Sequence, residues 1–361
     1  NIPVLITSLA EYRRRFGELW SRSNLGPAVQ QFFAHGGERL YVVRVASSAR
    51  GAMICLPAGG SALVLRAAEP GSTEFIRAAV DYDGIEDGDD ESFNLVLQRL
   101  NPVTRLIEDQ ELYSRLSFQE GAENFDGDAL VASVLAHIEH PYPVHRPDVT
   151  LKKGRHFESG YVDHVQAGTD GNELCDYDLI GSRSASTALF ALQQVEQVDL
   201  LYLPPPGNGS DLGPAAVLAA ERFCRERGAM LVIDPRMEWA TPVQAAHGVR
   251  ELGYISSHMI GYFPRADLRD GSSTQSHSVG GAIAGLLCRH DRKQGAWQDL
   301  DPDGIPLSQV LLPAVDVSDN DRQLLKRAGL NVIAKGAASR ARLYGSVTMR
   351  CSSGTPREFS S

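Results

Sequence analysis

The sequence predicts a mixed α/β protein whose α/β core carries a small antiparallel β module. Three observations predict it. The first 45 residues alternate strand, helix, helix and strand; residues 46–104 contain short strand patterns around an acidic turn; and residues 198–233 read strand, helix, strand. Short links between such elements are typical of the βαβ unit of a parallel sheet. We therefore expect segments 1–45 and 105–290 to form the core, 46–104 the module, and 291–361 a partial carboxy-terminal domain.

The amino-terminal elements follow from capping and periodicity. Residues 3–7 predict a strand, and Ser8 followed by Glu11 is a capping box that begins a helix. A second helix is expected from Pro27, because proline is favoured in the first helical turn. An apolar strand over residues 40–45 completes this part.

The module is predicted from three strand patterns, at residues 62–67, 75–82 and 93–100. The acidic residues 81–91 between the last two lack the downstream Glu of a calcium loop, so we expect a solvated hairpin tip that faces outward. Helical patterns follow at 106–116 and 126–137.

The core is predicted from alternating helix and strand patterns. The expected helices are 176–195, 214–227, 279–289 and 319–328, and the expected strands are 198–203, 229–233, 257–263, 332–333 and 343–349. No internal repeat is visible.

Composition excludes several classes of function. The net charge of −10 argues against a nucleic-acid-binding surface, and no run of 18 apolar residues predicts a membrane span. Five scattered cysteines form no CxxC pair, so neither a disulfide framework nor a zinc site is indicated. These features are typical of a soluble, acidic protein from a reducing compartment.

One arrangement of residues resembles a catalytic triad. Asp234, His247 and Ser278 occur in the Asp, His, Ser order of a subtilisin-type hydrolase. The spacing is too short, however, and the glycines near Ser278 do not form the motif that exposes a nucleophile. We therefore expect ordinary residues at a strand end and a helix start, with a serine hydrolase as the alternative.

Two further patterns were weighed as ligand sites, and neither has the spacing that such a site requires. Histidines at 137, 140, 145, 156 and 164 lack metal-binding spacing. The glycine loop 207–210 precedes a helix, where a phosphate could bind, but it lacks the ending of a P-loop. The sequence thus predicts no catalytic residues, no metal and no cofactor.

Eight collinear segments resemble the tail sheath proteins of contractile phage tails and related injection systems. They are 3–17 (beginning PVLITSLAEY), 29–37 (VQQFFAHGG), 41–45 (YVVRV), 67–71 (AAEPG), 167–171 (AGTDG), 229–235 (AMLVIDP), 278–285 followed by 295–297 (SVGGAIAG, then GAW) and 330–333 (LNVI). The resemblance spans nearly the whole chain. Residues 298–300 and 343–349 depart from the family pattern.

The resemblance implies a subtilisin-like core without a working protease site, and a structural role. Sheath subunits stack as hexameric rings wound helically around a tail tube, and their terminal arms add strands to a neighbour's sheet. Contraction of this lattice drives the tube through a target envelope. The alternatives to a sheath subunit are the hydrolase and a tail or baseplate adaptor.

The resemblance also implies the partners and the location. The partners are other sheath subunits, the tail tube protein, the baseplate and the tail terminator, with no nucleic acid and no membrane. The particle is a virion tail or an injection particle, assembled in the bacterial cytoplasm. Lys335, Arg340 and Arg342 are candidates for contact with the tube or a neighbour. Because the chain starts inside a strand pattern, we expect a sheath body whose arms are missing, and a monomer or weak assembly.

Overall fold

The computed structural model describes most of the chain. The described residues are 2–20, 22–118, 133–150, 160–207, 209–253, 255–268, 277–296, 298–300, 302–308, 311–336 and 340–350. They form two compact units, one from residues 1–45 and 173–361 and the other from residues 46–172. We call these the α/β unit and the β unit.

The helices and strands have the following bounds. The α-helices are α1 Leu9–Phe16, α2 Leu25–Ala34, α3 Asp176–Ile180, α4 Pro214–Arg227, α5 Pro242–Leu252, α6 Gly280–Gln294 and α7 Asp319–Arg327, with a 3₁₀-helix at Ala188–Gln194. The strands are β1 Val4–Ile6, β2 Leu40–Val42, β3 Met53–Ala58, β4 Ser61–Ala67, β5 Phe75–Asp81, β6 Phe93–Leu100, β7 Ile107–Leu116, β8 Ala136–Ile138, β9 Val162–Asp163, β10 Leu200–Tyr202, β11 Met230–Ile233, β12 Met259–Phe263, β13 Ala266–Leu268, β14 Ile305–Pro306, β15 Leu311–Pro313, β16 Leu330–Lys335 and β17 Ala341–Tyr344.

A six-stranded sheet organises the α/β unit. Its order is β10-β11-β12-β16-β17-β14, and the first four strands are parallel. Strand β17 runs antiparallel to both of its neighbours. Two smaller antiparallel sheets, β1-β2 and β13-β15, belong to the same unit. The predicted mixed α/β class is confirmed.

Helices cover both faces of this sheet. Successive residues of β11 belong to different apolar cores, one on each face of the sheet. Leu231 lies in the core formed with α4, α5 and α7, and Val232 lies in the core formed with α6. A strand whose side chains are buried on both faces reads as a continuous apolar run. The run at 229–233 could therefore be recognised in the sequence.

Helix α2 lies unusually close to α6. A Cβ atom added at Gly281 would lie 2.3 Å from the carbonyl oxygen of Ala28, and one at Gly285 would lie 2.4 Å from that of Phe32. The side chain of Gln31 spans the same interface, because its amide donates to Ser278 O (2.9 Å) and accepts from Ala282 N (3.3 Å). The two glycines make this approach possible.

The β unit consists of antiparallel sheets. Its described strands form a four-stranded sheet, β7-β6-β5-β9, and a three-stranded sheet, β3-β4-β8. Side chains of both sheets share one apolar core, which includes Leu56, Leu65, Val80 and Phe93. This unit extends to residue 172, beyond the module predicted at 46–104, and strands from 291–361 join the six-stranded sheet.

Several predicted elements differ from the structure. Residues 107–116 are a strand, because β7 pairs along its length with β6, although leucine and tyrosine recur there at helical spacing. The helix expected over 176–195 stops at Gly181, which has a φ of 68°, and resumes as the 3₁₀-helix. Strand β3 and helix α5 were not predicted. Of the helix expected at 126–137, residues 126–132 lie outside the described residues, and β8 occupies 136–138.

Candidate functional site

The polar cluster nearest to a catalytic arrangement lies where β11 ends and α6 begins. Asp234 accepts hydrogen bonds from Tyr202 Oη (2.5 Å) and from the backbone N–H groups of Val279 and Gly280 (both 3.1 Å). Free N–H groups at a helix start favour a negative charge. The Asp234 carboxylate therefore caps α6 from a neighbouring strand end.

The environment of this carboxylate shifts two pKa values. Burial raises the pKa of Asp234, while the hydrogen bond from Tyr202 and the positive charge of Arg265 act in the opposite direction. Burial and the adjacent Asp234 charge raise the pKa of Tyr202 well above its usual value. Tyr202 thus stays a protonated hydrogen-bond donor.

Arg265 joins this cap to a second carboxylate. Its side chain is 8% exposed and donates to Asp211 Oδ1 (3.0 Å), Pro235 O (3.2 Å) and Ser278 Oγ (2.7 Å). The hydroxyl of Ser278 therefore accepts from a guanidinium, which cannot take up a proton. A serine nucleophile needs a base at this position.

His247 does not supply that base. It lies on α5 with its side chain 69% exposed, and its Nδ1 is 3.3 Å from Glu251 Oε2. No hydrogen bond among the described residues joins His247 to Asp234 or Ser278. The sequence alternative of a serine hydrolase is not supported, because Arg265 rather than His247 contacts the Ser278 hydroxyl and His247 pairs with Glu251 instead.

The space beside the cluster is small. A cavity of about 30 Å³ is lined by residues that include Asp211, Asp234, Arg236 and Trp239. Sites for small-molecule ligands usually enclose about 300–1,000 Å³. This cavity could hold water but not a substrate or cofactor.

The glycine loop 207–210 does not lead to a free helix start. The N–H groups of Gly213 and Ala216, at the beginning of α4, donate to the Asp176 carboxylate (3.0 and 3.1 Å). A Cβ atom at Gly213 would lie 2.3 Å from that carboxylate. Asp176 occupies the position at which a phosphate would bind.

The described residues contain no group of three or more His, Cys, Asp or Glu side chains placed to hold a metal ion. Of the histidines noted in the sequence, His156 lies outside the described residues. No described helix is long and apolar enough to cross a membrane.

The three predicted contact residues lie near the end of the α/β sheet. Lys335 and Arg340 are exposed, and Lys335 forms an ion pair with Asp316 (2.6 Å). Arg342 is partly buried and donates to Gly304 O (2.8 Å). Lys335 and Arg340 thus present charge to solvent, whereas Arg342 also fastens a loop.

The sequence pattern does not single out Tyr202, Arg265 or Asp176. Each acts on a residue far away in the sequence, at separations of 32, 13 and 37 residues for Tyr202–Asp234, Arg265–Ser278 and Asp176–Gly213. The one local signal is that Asp234 ends an apolar strand and Ser278 precedes a helix. Parallel strands place such positions at the same sheet edge.

The fold and this cluster define a two-unit α/β protein whose polar residues cap helices. Similar solved structures include two sheath tail proteins. That of Listeria innocua is 13% identical over 99% of this chain and 68% of its own, with a TM-score of 0.57. That of Desulfitobacterium hafniense is 12% identical over 98% and 69%, with a TM-score of 0.50. A weaker likeness, to the contracted helical sheath of the anti-feeding prophage, covers 53% of this chain and 49% of that one at 18% identity, with a TM-score of 0.38.

The chain has the fold of the sheath tail proteins. The resemblance predicted from the sequence is confirmed at the level of the fold. No protein-family model matches the chain, and no curated protein matches it.

Proposed function

We propose that this protein is the structural subunit of a contractile tail sheath. The observation that carries the proposal is a fold shared with a sheath tail protein over 99% of this chain. The collinear sequence segments point to the same family. The capped helix starts and the small cavity support a role without catalysis.

The assembly we propose is a stack of hexameric rings wound helically around a tail tube. Subunits are linked by strands added to a neighbour's sheet, so that backbone hydrogen bonds hold the lattice while side chains set its register. Such a head-to-tail contact does not close and generates a helix. In this proposal the central parallel sheet follows a subtilisin-like plan without that family's chemistry.

Contraction is proposed to be a change between two sets of subunit contacts. A metastable extended lattice relaxes to a wider, shorter one, and the free-energy difference drives the tube through a target envelope. The baseplate and tail terminator are the proposed end partners, in a virion tail or an injection particle assembled in the bacterial cytoplasm.

The surface that faces the tube is proposed to include Lys335 and Arg340. Both are exposed near one end of the six-stranded sheet. A contact that must slide is better made by solvated charges than by interlocked apolar side chains. Arg342 lies beside them, although its guanidinium is engaged by Gly304.

The test is co-sedimentation of the complete gene product with assembled tubes of its tail tube protein. Reversing both charges, Lys335→Glu with Arg340→Glu, is expected to weaken pelleting with tubes. Lys293→Glu with Lys326→Glu, at exposed lysines of α6 and α7, makes the same change of charge and is the matched control. Failure of the unaltered protein to pellet with tubes would contradict the sheath assignment, and equal pelleting of both variants would contradict the surface.

A further inference from the structure

His35, at the carboxy-terminal end of α2, joins two parts of the α/β unit. The residue is 3% exposed. Its Nδ1 lies 2.7 Å from the carbonyl oxygen of Gln31, and its Nε2 lies 3.0 Å from the backbone nitrogen of Ser308. One ring therefore bridges positions 273 residues apart in the sequence.

These two partners fix the protonation of the ring. A carbonyl oxygen only accepts, so Nδ1 carries a proton and donates to Gln31 O. A backbone N–H only donates, so Nε2 is unprotonated and accepts from Ser308. The geometry thus selects the neutral imidazole in a single tautomer.

Ser308 follows strand β14, the edge strand of the six-stranded sheet. The adjoining Leu307 N donates to Ala341 O (2.9 Å), and Arg342 donates to Gly304 O (2.8 Å). The segment 304–308 is thus attached to β17 on one side and to α2 through His35 on the other.

The charged side chain that acts on the ring, Arg289, disfavours a positive charge on the imidazole. Helix α6 presents Arg289 and also Arg292, which pairs with Glu38 (2.9 Å). The next residues on α6, His290 and Asp291, contact each other (Nδ1 to Oδ1, 3.2 Å). Segment 302–308 carries the exposed Asp303.

We propose that His35 is an acid-released latch, in which protonation of Nε2 breaks the hydrogen bond from Ser308 and frees segment 304–308 from α2. A proton on Nε2 would place two N–H groups against each other at hydrogen-bond distance. Two donors cannot stay at this distance without loss, so charging the ring favours a state in which the Ser308 N–H has moved away from Nε2.

The direction of the pH effect follows from linkage. Burial, together with Arg289, lowers the pKa of His35, while the hydrogen bond to Gln31 O partly opposes this. In the open state the pKa returns to about 6.5. The latch is therefore strongest well above pH 6.5 and weakens as the pH falls through that value, with a slope that approaches about tenfold per pH unit only while the closed state stays neutral.

The test is hydrogen exchange of the full protein, followed at the peptide that contains Ser308 and expressed as protection relative to the intrinsic rate at each pH. Between pH 6.5 and 5.5 we expect protection of the Ser308 amide to fall about fivefold. His35→Gln keeps an acceptor for Ser308 but does not titrate, so its protection should not change. His247→Gln, at an exposed histidine, should behave like the unaltered protein.

Two results would overturn the latch: a change of less than about twofold in the unaltered protein, where linkage gives about fivefold, or an equal fall in His35→Gln. If His35→Gln does not fold, nitrogen-15 NMR of the histidine rings in the unaltered protein replaces it. The expected spectrum shows His35 as the Nδ1–H tautomer, titrating below pH 6.5 together with the Ser308 amide. The Nε2–H tautomer would refute the proposal.

Discussion

The close crossing of α2 and α6 makes Gly285→Ala the most informative test of the packing. The added Cβ would lie 2.4 Å from Phe32 O and 3.2 Å from the Cβ of His35, where ordinary contact begins at 3.4 Å. The opposing oxygen belongs to the backbone and cannot rotate away. Helix α2 must therefore shift by about 1 Å, the gap between these distances.

The cost follows from two opposing effects. Overpacking a well-packed contact costs about 1–3 kcal/mol, and a clash with backbone belongs at the upper end. Alanine is a better helix former than glycine by about 1 kcal/mol, which offsets part of that cost. We expect a net loss of about 2 kcal/mol in the free energy of unfolding.

The assay is urea unfolding followed by tryptophan fluorescence. Trp239 is 7% exposed in the core of the α/β unit and reports its unfolding. Lys293→Ala, on the exposed side of α6, is the control and should change stability by less than about 0.5 kcal/mol. A Gly285→Ala protein as stable as the unaltered one would refute the close crossing.

Three further predictions concern the carboxylate caps and Ser278. Asp176→Ala should lower the free energy of unfolding by about 0.5–2 kcal/mol, because two N–H groups of α4 lose their acceptor. Glu173→Ala is the control and should have little effect. Equal urea midpoints for the two variants would contradict the cap. Asp234→Ala removes the acceptor of three donors and should lower the free energy of unfolding by more than about 2 kcal/mol, whereas Tyr202→Phe should lower it by about 1 kcal/mol. The reverse order in urea unfolding would refute the assigned network. A fluorophosphonate probe should not label Ser278, as judged by mass spectrometry, and labelling would restore the hydrolase alternative.

Local signals in the sequence predicted much of the α/β unit. Proline at position 214 and glycine at position 228 bracket α4, and the strand at 230–233 is apolar throughout. Ser8 caps α1 as predicted, but Glu11 accepts from Thr7 N, one residue before the cap. Each of these features depends on residues within a few positions of one another.

Features set by distant contacts could not be predicted. Strand β7 carries apolar residues at helical spacing, and its pairing with β6 decides its conformation. The candidate site shows the same limit. Asp234 and Ser278 could be singled out as a strand end and a helix start, but Arg265 and Tyr202, which determine what these residues do, are recognisable only after folding.

The most direct test of the sheath proposal is negative-stain electron microscopy of the complete gene product expressed alone. The proposal predicts tubes or cylinders with a helical subunit repeat. Uniform small particles would contradict the sheath assignment and favour an adaptor with the same fold.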